Sequence, residues 1–286
     1  MKRIILLLSL GLLSVQANAQ DYWGHRLDVD IDVQYGEHPA QVADLYIQSA
    51  RPAPGSALEP LGEPRPTLIW FHGGGWVAGD KSSNLNRTVQ YLERGWHVAN
   101  VNYRVGNGTA PQAVDDAMCA YKWIVEEFQR TGRSDRFVVS GSSAGGHLAL
   151  MVGLLNAESD HPCRADAAPD AVVNWYGITD IEAVDEYLVE SRAERNFAQL
   201  WVGDRDRIGE ISSRYSPLSL ISRNAPPIIT IHGTADTTVP YTQADALHAA
   251  LQTRNRLVSL EDGTHGGFSD AQYQDAISAI FEFLGE

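Results

Sequence analysis

Residues 137–150 read FVVSGSSAGGHLAL. Phe137 to Ser140 is an apolar run of strand length, and His147, Leu148 and Leu150 begin a helical pattern. Between them Gly141-Ser142-Ser143-Ala144-Gly145 fits G-x-S-x-G. In a chain of 286 residues this pattern arises by accident on the order of one time in ten, so its context decides its weight. A sharp turn from strand to helix strains the central residue and exposes its side chain. The helix N-terminus beneath it favours developing negative charge. Ser143 is therefore the candidate nucleophile.

On either side, strand-like and helix-like stretches alternate, which predicts an α/β sheet. Thr67 to Phe71, His97 to Val101, Ala171 to Trp175, Pro227 to Ile231 and Leu257 to Leu260 read as buried strands. Leu27 to Val33 alternates apolar and acidic residues like an edge strand, with Ala43 to Ile47 as hairpin partner. Helical spacing covers Val114 to Phe128, Leu148 to Leu155, Ala244 to Leu251 and Ile277 to Leu284. The expected architecture is a mostly parallel eight-stranded sheet with helices on both faces. Residues 51–66, rich in Pro and Gly, read as a surface loop. Residues 181–215 break the rhythm and read as a small cap insertion; a plain helical connection is the alternative.

A serine hydroxyl is a poor nucleophile until a base takes its proton. His265, in Gly263-Thr264-His265-Gly266-Gly267, follows the last strand. Asp236, in His232-Gly233-Thr234-Ala235-Asp236, follows the strand before it. The order Ser, Asp, His matches this kind of site, and an acid beside the imidazole fixes its tautomer. Asp180 and Asp262 also follow strands and compete with Asp236 for that role. His72-Gly73-Gly74-Gly75-Trp76 follows the strand Thr67 to Phe71. Its backbone N–H groups at Gly74 and Gly75, with that of Ala144, would form an oxyanion hole. A phosphate loop would need G-K-[ST], which is missing here. His72 reads as a brace for this loop and His147 as structural. Trp76, Tyr176 and Trp201 are candidates for substrate contact, with core packing as the alternative.

The motifs at 72–76, 141–147, 232–236 and 264–268 resemble those of α/β-hydrolase esterases, and the resemblance spans the chain from about residue 21. The H-G-G-G loop is shared with the hormone-sensitive-lipase-like group. Trp76 and the later Gly79-Asp80-Lys81 resemble bacterial feruloyl and acetyl-xylan esterases more closely. The resemblance implies an α/β-hydrolase fold with Ser143, Asp236 and His265 as triad. It also implies Gly74, Gly75 and Ala144 as oxyanion donors, no cofactor or metal, and an acetyl or feruloyl carbohydrate ester as substrate. Only a short lead precedes the first strand, which argues against the long N-terminal cap of hormone-sensitive-lipase-like enzymes. Alternatives are a general short-chain carboxylesterase, an arylformamidase-like amidase, an exopeptidase, and a non-catalytic binding homologue.

Composition agrees with one globular domain: 44% hydrophobic and 20% charged residues. Lys2 and Arg3 precede an apolar run from Ile4 to Val15, and Ala17-Asn18-Ala19 follows. This reads as a cleaved secretory signal, residues 1–19, since the run is too short for a spanning helix. The mature domain would be residues 20–286, secreted or periplasmic, with no membrane anchor. The net charge of −14 argues against nucleic acid as a partner. The substrate would be a small-molecule or carbohydrate ester. Export would put Cys119 and Cys163 in an oxidising compartment, either as a disulfide or as two buried thiols.

Overall fold

The computed structural model describes residues 26–49, 63–158 and 160–286. The expected leader and most of the loop at 51–66 lie outside them. The elements run in chain order as β1 (Arg26–Gln34), β2 (Val42–Ser49), β3 (Thr67–Phe71), α1 (Leu85–Leu92), β4 (His97–Val101), α2 (Gln112–Arg130), β5 (Phe137–Ser142), α3 (Ala144–Glu158) and β6 (Ala171–Trp175). They continue as α4 (Ile181–Arg192), α5 (Phe197–Val202), α6 (Ile208–Tyr215), β7 (Ile228–Gly233), α7 (Thr242–Ala250), β8 (Asn255–Leu260) and α8 (Asp270–Leu284).

Eight strands form one sheet in the order β1-β2-β4-β3-β5-β6-β7-β8. β1 pairs antiparallel with β2, and β2 with β4, while the remaining neighbours are parallel. This is the α/β-hydrolase architecture. Its central strands are apolar at consecutive positions because both faces are covered. Ile69, Phe71, Val139 and Val172 enter one apolar core together with residues of α2 and α3. Leu68, Trp70, Val138 and Val173 enter a second core with residues of α8.

The predicted strands correspond to β1–β8. The helices run longer than their apolar periods suggested. α8 begins at Asp270, seven residues before Ile277, because Ser269 and Gln272 form a reciprocal capping box. α3 begins at Ala144, directly after Ser143, despite two glycines in its first turn. α1 lay outside the periodic stretches recognised in the sequence.

Residues 181–215 form α4, α5 and α6 joined by short 3-10 turns. This insertion is rooted in the main core, since Trp201, Val202, Ile208 and Ile211 all pack there. Gly108 and Ala110 donate backbone hydrogen bonds to Leu200 and Trp201, at 2.8 and 3.1 Å, and tie it to the loop after β4.

Cys119 on α2 is bonded to Cys163, which resolves the sequence alternatives in favour of a disulfide. The bridge closes a loop of 44 residues. On the chain-entropy argument it contributes about 4 kcal/mol. A Cys119→Ser/Cys163→Ser variant should therefore unfold at a much lower urea concentration than the parent. An unchanged midpoint would mean that packing alone holds the loop.

Candidate active site

Ser143 sits on the turn between β5 and α3 with φ of 57°, a region that costs an L-residue about 1–2 kcal/mol. Two backbone bonds hold it there. Its N–H donates to the carbonyl of Trp175 at the end of β6 (2.9 Å), and its own carbonyl accepts from His147 N–H (3.0 Å). The turn thus spans the carboxyl ends of two neighbouring strands.

His265 reaches this point from the loop after β8. Its Nε2 lies 3.0 Å from Ser143 Oγ, and its Nδ1 lies 2.7 Å from Asp236 Oδ2. Asp236 stands in the loop after β7, buried, and its Oδ1 accepts from the N–H groups of Thr238 (2.8 Å) and Val239 (3.0 Å). Burial pushes this carboxyl upward. Hydrogen bonds from His232 and His265, the electrostatic attraction of the His265 ring and the Val239 N–H outweigh it and hold the group well below the usual carboxylate range. An ionised Asp236 fixes the His265 proton on Nδ1, which leaves Nε2 free to accept from the serine. The rival acids lie elsewhere: Asp180 caps α4 through Ala183 N–H (3.1 Å), and Asp262 is exposed, its own N–H donating to Thr234 Oγ1 (2.9 Å).

The glycine loop after β3 closes the other side. Gly74 adopts φ of 125° and accepts from Val77 and Ala78 N–H. A Cβ there would meet Ala78 O at 2.0 Å, so glycine is required. Gly74 and Gly75 line the same cleft as Ser143 and His265. Ala144 opens α3, so its N–H has no partner within the helix. His72 braces the loop: its Nδ1–H donates to Gly73 O (2.7 Å), and its ring stacks on Tyr103 at 4.3 Å. Burial lowers the His72 pKa.

Trp76 and Trp201 are not cleft residues. Both are fully buried and stack on each other at 4.4 Å, beneath the glycine loop. Trp76 Nε1 donates to His147 Nδ1 (3.2 Å), so His147 carries its proton on Nε2 and donates it to Tyr215 O (2.8 Å). The two indoles and His147 join the loop, α3 and the inserted helices. Of the two alternatives the sequence leaves for Trp76 and Trp201, the structure takes core packing. Tyr176 does line the cleft, as expected. Ser83, Phe197 and Thr238 line it too and were missed. Each comes from a segment whose position over the site is set by tertiary packing. Of the three, only Phe197 lies in a stretch that the sequence singles out, the insertion at 181–215.

His147 and His97 add a pH dependence. Burial pushes each imidazole down to about 4. The unfolded chain binds these protons near pH 6.5, while the folded chain binds them only near pH 4. Stability is therefore full above pH 6.5 and falls between 6.5 and 4, by about 2 kcal/mol per histidine between pH 7 and 4.5. Urea midpoints measured at both pH values should separate accordingly; equal midpoints would mean that these rings protonate within the folded protein.

The cleft encloses about 440 Å³ and opens to solvent. Residues 59–251 match the BD-FAE family, a span that holds Ser143 and Asp236 and stops short of His265. Esterase LipC of Mycobacterium tuberculosis is 31% identical over 82% of this chain and 59% of its own length. The chain spans about half the length of the curated relatives it matches. Thermogutta terrifontis esterase 2, solved after phosphoramylation by tabun, superposes with a TM-score of 0.65 at 26% identity, covering 91% of this chain and 94% of that one. A truncated carbohydrate esterase from gut microbiota shares the fold with a TM-score of 0.73 at 20% identity, over 91% and 97% of the two chains. The family match takes in two thirds of the sequence, from the loop before β3 to the end of α7, and by it the chain belongs to the BD-FAE family.

Proposed function

We propose that the protein is a secreted or periplasmic serine carboxylic-ester hydrolase that deacylates carbohydrate esters carrying acetyl or feruloyl groups. The observation that carries this reading is His265, bridging Ser143 Oγ and the Asp236 carboxylate. The esterase names of LipC and esterase 2 support ester hydrolysis. An open cleft suits a bulky alcohol, and the Cys119–Cys163 bridge suits an oxidising compartment.

In this mechanism His265 Nε2 takes the Ser143 proton as Oγ attacks the ester carbonyl. The N–H groups of Gly74, Gly75 and Ala144 hold the oxyanion, with each donor worth about 3 kcal/mol in the transition state. Asp236 stabilises the imidazolium. The tetrahedral intermediate collapses, the C–O bond to the alcohol breaks, and the alcohol leaves with the proton from His265. Water then enters through the same base, attacks the acyl-enzyme and releases the acid and free Ser143.

The test is hydrolysis of p-nitrophenyl acetate, acetylated xylan and methyl ferulate by the purified protein, with a serine-directed phosphonate as titrant. Turnover, stoichiometric inactivation and a mass increase on the peptide holding Ser143 are expected. Activity on p-nitrophenyl acetate alone would restrict the protein to a short-chain carboxylesterase. No turnover and no labelling would leave a binding protein.

A further inference from the structure

His265 has a conformational problem that Asp236 and Ser143 do not solve alone. Its loop runs Gly263-Thr264-His265-Gly266-Gly267. Gly266 takes φ of 75°, and the loop is pinned internally by a 3.3 Å bond from Thr264 N–H to Gly267 O. Glycines on this side give the backbone freedom to carry the imidazole away from the serine.

A wall of three residues closes that route. Tyr176 follows β6 with φ of 40°, and its N–H donates to Ile231 O (2.8 Å). Its ring meets the His265 ring edge-on at 4.7 Å. A Cβ on Gly266 would lie 2.8 Å from the Tyr176 hydroxyl and 3.5 Å from Arg87 Nη2, so the loop backbone rests against both side chains. Arg87, on α1, places its guanidinium 4.7 Å from the Trp175 ring centroid and 5.5 Å from that of Tyr176. No carboxylate pairs with it among the described residues, and its buried Nη1 has no hydrogen-bond partner. Arg87 is half-buried, and a partly desolvated cation facing two π systems gains attraction from both rings.

We propose that Arg87 is a positioning residue for His265: its guanidinium clamps Trp175 and Tyr176, and Tyr176 with Gly266 fixes the imidazole in line between Ser143 and Asp236. This inference rests on the serine-esterase reading. Arg87 is not among the residues that line the cleft, so its loss should show in turnover rather than in binding.

Arg87→Met keeps the length, the apolar stem and the helix propensity of α1 but removes the charge. Arg87→Lys keeps the charge. With p-nitrophenyl acetate, kcat of Arg87→Met should fall about tenfold or more, as a small misplacement of a reacting group does, with KM unchanged. Arg87→Lys should stay within about threefold of the parent. With an active parent, equal kcat in all three proteins, or equal loss in both variants, would overturn the proposal, because charge would then be irrelevant. A second readout needs no turnover: the downfield proton resonance of His265 Nδ1–H should be sharp in the parent and Arg87→Lys and broadened in Arg87→Met. An unchanged resonance in Arg87→Met would overturn the clamp. An inactive parent with the expected pattern of resonances would sink the esterase reading and leave the clamp standing.

Discussion

Ser143→Ala is expected to lower kcat for p-nitrophenyl acetate by about 10⁴-fold or more while the protein stays folded. The hydroxyl makes one side-chain contact in the site, with His265 Nε2. The turn is held by backbone bonds to Trp175 and His147, which alanine keeps. His265→Ala should cost about as much, and the double variant little more, because nucleophile and base act as one unit. Parent-level activity in Ser143→Ala would mean that another residue attacks the ester.

Asp236→Asn makes a sharper test of the same unit. The Thr238 and Val239 N–H groups both point at Oδ1, so an asparagine must put its carbonyl oxygen there. Its NH₂ then faces His265, which accepts at Nδ1 and carries its proton on Nε2, the wrong tautomer for a base. A loss of about 10⁴-fold in kcat follows with little change in geometry.

That Ser143, Asp236 and His265 come together was legible in the sequence because each follows a strand, and parallel strands bring such positions to one edge. Ser143, Asp236 and His265 needed only chain order and flanking turns to be found. For Trp76 the sequence leaves cleft and core both open, because its direction depends on Trp201 and His147, which are 125 and 71 residues away. Phe197 and Ser83 reach the cleft from helical segments whose docking no local pattern encodes. Tyr176 is a candidate for substrate contact on sequence, with core packing as the alternative, and it lines the cleft. The Arg87 guanidinium near its ring comes from α1, a helix that the apolar periodicity does not reveal. Period and punctuation report what a residue does within its own element; they are silent where two elements meet.

Gly145→Ala tests the contact that makes the site possible. In an isolated helix the change would favour folding by up to about 1 kcal/mol, since alanine is the better helix former. In this turn the sign reverses. The new Cβ would lie 2.1 Å from Phe71 O, 2.5 Å from His72 O and 2.7 Å from Phe71 C. All three are backbone atoms at the end of β3, where the glycine loop begins, and none can swing aside as a side chain would. α3 must back away from β3, which parts Ser143 from the N–H groups of Gly74 and Gly75 at the same time. A loss of about 3 kcal/mol or more is expected from overpacking, read as a large drop in urea midpoint, together with most of the turnover of p-nitrophenyl acetate expected for the parent. Gly132→Ala is the comparison, at φ of 67° with nothing within 4 Å of its Cβ; there only the left-handed backbone is penalised, by about 1 kcal/mol. If Gly145→Ala were no more damaging than Gly132→Ala, β3 and α3 could slide apart freely, and the close approach of strand to helix could not be what holds Ser143 and the glycine loop in register.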